Sequence, residues 1–257
     1  MEIITILLSS LIGILSPGGV VTDTLTEAAI RDRLDSAEAL TVRIDNAPSY
    51  HLLQGNVDRV RIAAQGVFPV ADIRIDTVEI ETDAIDVDVE QLQDGNIVLD
   101  RPLSAGIRVV MRKDDINRAL RSPRLTDTLQ DLNLDLTRDS DRSTQQSDLV
   151  RAEVEFLDPR RVRLDAIFQD QDTGDRVSIA IESGIAIDRG SQLRFIDPVV
   201  TADGEAVPSE LIQLLAEGIS QIVNLRNLEL LGITARLLRL EIEDDAIEVA
   251  ALVHIRP

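Results

Sequence analysis

The sequence predicts an α+β fold: long antiparallel strands packed against one long amphipathic helix. Through most of the 257 residues, apolar and polar side chains alternate with period two, as in half-buried strands. Residues 208–225, P-S-E-L-I-Q-L-L-A-E-G-I-S-Q-I-V-N-L, break that alternation. There Leu211, Leu215, Gly218 and Ile222 recur at helical spacing, with Ile212, Ile219 and Val223 beside them. Ser209 after Pro208 reads as the helix start. The resulting apolar face is wider than a surface helix needs, so the helix is expected to fill the concave side of the sheet.

Composition narrows the function classes. A chain of this length buries about 70–75% of its unfolded surface in one large domain or two small ones. It has no cysteine, which excludes disulfides and thiolate metal sites. The formal charge of -20 repels phosphate backbones, so nucleic acid is not expected as a partner. Aromatic residues make up 2%, with no Trp, so the core is built from Ile, Leu, Val and Ala. Such a core lacks stacking platforms for nucleotides or sugars.

Residues 1–21 form an apolar N-terminal segment. Its run from Ile3, I-I-T-I-L-L-S-S-L-I-G-I-L, spans about 13 residues, short of the ~20 a spanning helix needs, and Pro17, Gly18 and Gly19 interrupt its extension. Glu2 is the only charge before it, so the basic start of a secretory signal is absent. Two readings stand: a helix packed on the domain, or a membrane-interface helix or anchor touching lipid through Ile3, Ile4, Leu7, Leu8, Leu11, Ile12 and Leu15. Arg31 and Arg33 follow the run and no cation precedes it, a bias toward a cytoplasmic body.

Residues 22–257 read as a single α+β domain. From 22 to 40 the spacing of Leu25, Ala28, Ala29, Ile30, Leu34 and Ala37 is helical. Val42 and Ile44 then alternate with charged residues, Gly55-Asn56 signals a turn, and Val60 and Ile62 resume a strand that Pro69 is expected to close. Ile73, Ile75, Val78, Ile80, Ile85, Val87 and Val89 carry further strand character, with a slip in phase near Asp76-Thr77 of the kind a bulge or bend produces. Leu103 to Met111 alternates strictly. Asp114 or Asp115 is expected to cap a short helix carrying Ile116, Ala119 and Leu120.

The segments L-L-Q-G-N-V-D-R-V-R-I-A-A-Q-G-V (52–67) and R-P-L-S-A-G-I-R-V-V-M-R-K-D-D-I-N-R-A-L (101–120) resemble the LmeA-like family of bacterial phospholipid-binding proteins. The likeness of layout runs from about residue 22 onward and rests on Gly, Pro and alternating apolar positions. The family is similar to tubular lipid-binding (TULIP-like) domains, so the resemblance implies a strongly curved antiparallel sheet wrapped around the long helix, a half-barrel with a greasy groove for acyl chains. It also implies a cell-envelope protein associated with the membrane, on a side that the N-terminus leaves open.

Beyond residue 120, a second helical piece is expected at 125–132, a polar loop at 137–148, and then paired strands. These run through Val150 to Phe156, Val162 to Phe168, Val177 to Ile181, Ile185 to Phe195, and a final hairpin turned at Asp244-Asp245. Asp170, Asp172 and Asp175 have the spaced carboxylates of a calcium loop. Glycine is not at its sixth position and no glutamate closes it at the twelfth, so a hairpin turn is the better reading. His51 and His254, the only histidines, sit in no metal-ligand spacing. No phosphate loop, G-x-S-x-G elbow or H-E-x-x-H is present. The expectation is a protein that is not an enzyme, with no cofactor and no metal, whose partners are phospholipid or another acyl-chain lipid and a membrane. Candidate groove residues are Leu211, Leu215, Gly218, Ile222, Ile107, Val109, Ile179 and Ile181. The alternative is a membrane-surface structural or assembly protein with a closed core.

Overall fold

The structure, a computed structural model, describes residues 27, 30, 31, 34–46, 54–93, 98–123, 147–157, 160–171, 173–208, 212 and 224–257. They form two compact units. One comprises Met1–Met111, Leu225–Leu240 and Glu248–Pro257, the other Arg112–Asn224 and Glu241–Ile247.

The first unit is built on a six-stranded antiparallel sheet. Its strands are β1 (Ser36–Asp45), β3 (Arg59–Val70), β4 (Ile73–Thr82), β6 (Leu103–Arg112), β12 (Ile233–Ile242) and β13 (Ala246–Ile255), in the order β1-β3-β4-β6-β13-β12. A two-stranded ribbon of β2 (Asn56–Val57) and β5 (Ile85–Asp86) lies between them in sequence. Alternation sorts the side chains: Leu40, Val42, Val60, Ile62, Ala64, Val78 and Ile80 are buried, together with Ile30 and Leu34 from the preceding segment. A 3₁₀ helix, Leu225–Leu231, adds Leu228 to a second cluster with Ala235 and Val253.

The second unit carries a five-stranded meander. Its strands are β7 (Ser147–Leu157), β8 (Arg161–Asp170), β9 (Arg176–Asp188), β10 (Gln192–Ala202) and β11 (Glu205–Ala206), in the order β11-β10-β9-β8-β7. Two helices are also described: α1 (Val89–Gln93), in the first unit, and α2 (Lys113–Leu120), in the second. Leu120 of α2 packs against Leu149, Ala152 and Ala166. The Asn117 carboxamide of α2 accepts from the Val154 N–H at 2.6 Å and donates to its carbonyl at 3.0 Å. That carboxamide imitates a neighbouring strand and covers part of the β7 edge, the place where a sheet invites foreign pairing.

Sequence and structure agree on a mostly antiparallel protein, with neither sheet closed into a barrel. The long helix read at 208–225 falls almost wholly outside the described residues. Within them, the Ile212 N–H donates to the Pro208 carbonyl at 3.2 Å, one helical bond. The helical reading of 22–40 extends too far, because β1 begins at Ser36, where pairing with Phe68 and Val67 overrides local spacing. Pro69 does not end β3; it sits where the β3–β4 register shifts between Val67 and Val70, a position that needs no ladder N–H. Val89 opens α1 instead of continuing a strand, its first turn held by Asp88 Oδ1 accepting from the N–H groups of Glu90 and Gln91. Asp114 and Asp115 lie in the first turn of α2, whose N-cap is Arg112 without a side-chain bond; Asp115 is buried and bonded to Arg118 instead. Ser147 and Asp148, expected in the polar loop, pair with Asp170 and Gln169 of β8.

Candidate functional site

Strand register decides which side chains share a face. In the five-stranded sheet, Val154, Leu164, Ile181 and Val200 form one row across β7 to β10, and Ala152, Ala166, Ile179 and Ala202 the next. Phe156 and Val162 continue the apolar face, as do the pairs Ile185 with Phe195 and Ile187 with Leu193. Coverage of this face is uneven: Ala152, Ala166, Ile179 and Val200 are buried, whereas Val154, Phe156, Leu164, Ile181, Leu193 and Phe195 are only half-buried. A bulge between Ile196 and Val199 keeps both halves of β10 in phase with this face; Asp197 takes φ 45 and the buried Ser183 hydroxyl donates to the Ile196 carbonyl at 3.1 Å.

The six-stranded sheet has a filled apolar face and a charged one. Val42, Ile62, Ile80 and Ile107 form an apolar row beside Leu40, Ala64, Val78 and Val109. On the opposite side Arg43, Arg61, Glu81 and Gly106 share a row, next to Thr41, Ala63, Glu79 and Arg108. There the small residues Ala63, Gly106 and Ala250 leave a depression of about 490 Å³, bordered by Arg43, Arg61, Glu79, Glu81, Arg108 and Leu238. Arg108 donates to Glu248 at 2.6 Å and to Glu79 at 3.2 Å, and Arg61 meets Asp45 at 3.0 Å and Glu81 at 3.7 Å. The Arg108 hydrogen bond holds the Glu248 carboxyl below its usual pKa, and the same bond raises Arg108. Donation by Arg43 likewise lowers Asp45.

Of the residues singled out from sequence, Ile107 and Val109 lie in adjacent rows of the six-stranded sheet, half-buried against its core. Ile179 and Ile181 lie in adjacent rows of the five-stranded sheet, the first buried and the second half-buried. Leu211, Leu215, Gly218 and Ile222 are outside the described residues, as are Ile3, Ile4, Leu7, Leu8, Leu11, Ile12, Leu15 and His51. His254 faces Ser104, its Nδ1 3.2 Å from the hydroxyl oxygen. The 170–175 segment is a hairpin turn, in which Asp170 Oδ1 accepts from the Thr173 N–H and the Asp170 carbonyl from the Gly174 N–H. Among the described residues no cluster of His, Asp and Glu could hold a metal ion, and no helix is long and apolar enough to cross a membrane. Reasoning from sequence missed the charged depression, although a glycine inside an otherwise regular strand was its visible signal.

No curated protein and no solved structure is significantly similar to the chain. The family model of the LmeA-like phospholipid-binding proteins, in contrast, matches residues 16–251. With nearly the whole length matched, the chain belongs to the LmeA-like phospholipid-binding family.

Proposed function

We propose that the protein is a non-catalytic binder of phospholipid, or of another acyl-chain lipid, at a bacterial membrane or cell envelope. The acyl chains lie on the apolar face of the five-stranded sheet. One observation supports this placement: Val154, Phe156, Leu164 and Ile181 remain half-buried on that face, whereas Leu40, Val42, Ile62, Ala64, Val78 and Ile80 in the central rows of the six-stranded sheet are buried. Ile179 and Ile181 form the sheet side of the seat. On this reading the amphipathic helix at 208–225 supplies the other side through Leu211, Leu215, Gly218 and Ile222, which gives the half-barrel that the family resemblance implies. Burying an acyl chain contributes about 0.8 kcal/mol per methylene, so affinity comes from apolar area and needs no cluster of polar groups.

Native mass spectrometry of the protein purified without detergent tests this. Phospholipid is expected to co-purify, and delipidated protein is expected to take up labelled phospholipid to a fixed stoichiometry. A lipid-free protein that takes up none overturns the reading. It would favour the closed-core structural role, for which the filled face of the six-stranded sheet is the supporting observation.

A further inference from the structure

Gly106 is a glycine that neither backbone nor packing requires. It lies inside β6 opposite Glu81, outside the left-handed region, and a Cβ there would meet nothing nearer than the Glu81 carbonyl oxygen at 3.9 Å, an ordinary contact. Glycine inside a strand is destabilising by about 0.5–1 kcal/mol relative to alanine. A side chain would therefore fit and stabilise β6, and the one thing it would remove is space, by filling the depression it shares with Ala63 and Ala250.

We propose that this depression seats the headgroup of a zwitterionic phospholipid, phosphate and ammonium together, and so docks the protein on a zwitterionic membrane surface. Charge sign alternates across the strands, from Arg61 on β3, through Glu79 and Glu81 on β4, to Arg108 on β6. Neighbouring strands are about 4.8 Å apart, comparable to the separation of phosphorus and nitrogen across a two-carbon linker. Guanidinium groups take phosphate oxygens in a fork, and the two carboxylates face the ammonium. The ion pairs of Arg61 and Arg108 engage part of each five-donor fork and leave donors for phosphate.

The charge of the patch points to the same ligand. The chain as a whole carries -20, which repels an anionic bilayer, while around the depression Arg43, Arg61 and Arg108 are interleaved with Glu79 and Glu81 and paired with Asp45 and Glu248, so both signs are present. Leu238 at the rim is 66% exposed, and Leu252, on the face of β13 that bears Glu248 and Ala250, is 44% exposed. Aliphatic side chains so placed enter the interface beside a bound headgroup.

The proposal rests on the phospholipid reading but not on the acyl-chain seat, and a headgroup without acyl chains separates the two. Calorimetric titration of the full chain with glycerophosphoethanolamine is expected to show saturable binding. Inorganic phosphate and ethanolamine, each alone, are expected to bind at least about tenfold more weakly. Gly106→Val is expected to weaken glycerophosphoethanolamine binding at least about tenfold while melting no lower than wild type, because valine suits a strand; if it fails to fold, Gly106→Ala serves the same comparison. Vesicles of phosphatidylcholine and phosphatidylethanolamine are expected to pellet less of the variant than of the wild type. Absence of saturable binding, an equal affinity of the Gly106 variant, or phosphate alone binding as tightly as the zwitterion overturns the headgroup site. Headgroup binding with equal vesicle pelleting of both proteins overturns the membrane docking. Carriage of acyl lipid is expected to be unchanged in the variant, so loss of the headgroup leaves the acyl seat standing.

Discussion

Gly55 shows how a single residue fixes the start of the first unit's small ribbon. Its φ of 80 lies where only glycine is comfortable, and a Cβ would run into the Val87 carbonyl oxygen. Gly55-Asn56 was legible as a turn, but Val87, the backbone that makes any side chain impossible, is 32 residues away in sequence and was not. Gly55→Ala is expected to destabilise the protein by about 2–3 kcal/mol, read as a lowered denaturation midpoint. Glu248 makes a second prediction, this one dependent on pH. Its carboxyl pKa is held below the ordinary glutamate value mainly by the Arg108 hydrogen bond, so the stabilisation is complete above the unfolded value and is lost as pH falls through the lower folded value. Arg108 is 40% exposed, which keeps the effect under about 1 kcal/mol. Denaturant titrations of wild type and Glu248→Gln are expected to differ at pH 7 and to converge well below pH 4.5.

Elements whose fate is set by alternation were readable; those set by partners were not. Strands β7 and β8 of the meander were legible from period two, and so was the turn at 170–175, whereas β9 was legible only as two pieces, Val177 to Ile181 and Ile185 onward, that form one strand, Arg176–Asp188. Asp203-Gly204, which closes the β10–β11 hairpin with φ values of 50 and 82, was as plain a two-residue turn signal and was not read. Helix α2 was legible as a helix, but its cap was not, because Asp115 turns inward to Arg118. Nor could sequence show that Asn117 would serve β7, since the bond joins residues 37 apart. Asn117→Ala leaves the Val154 N–H and carbonyl without that partner and is expected to destabilise the second unit by about 1–3 kcal/mol. Amide hydrogen exchange gives the local readout: the Val154 amide is expected to exchange faster, while amides in the central strand β9 follow only the global change.

Across the whole molecule, composition foretold an aliphatic interior and an acidic exterior, but the depression on the six-stranded sheet needs register across four strands. Ala63, Gly106 and Ala250 come from three separate stretches of chain, and only pairing brings them to one face. The same acidic exterior frames the last prediction. A chain with -20 charge and only Arg31 and Arg33 as cations before residue 40 gains little from anionic headgroups, so stable membrane residence needs an apolar anchor. We propose that the run containing Ile3, Ile4, Leu7, Leu8, Leu11, Ile12 and Leu15 is that anchor, and that the headgroup depression adds a second, weaker contact to the membrane affinity the anchor supplies. A chain beginning at Thr22 is then expected to be soluble and monomeric, to keep its acyl lipid by native mass spectrometry, and to lose most of its pelleting with membranes in a high-speed spin. Leu7→Asp with Leu11→Asp in the full chain is expected to reduce pelleting in the same direction, because each places a charge in the apolar run. Unfolding or aggregation of the shortened chain would instead assign the segment to the domain core, and undiminished pelleting would move the membrane contact to the body of the protein.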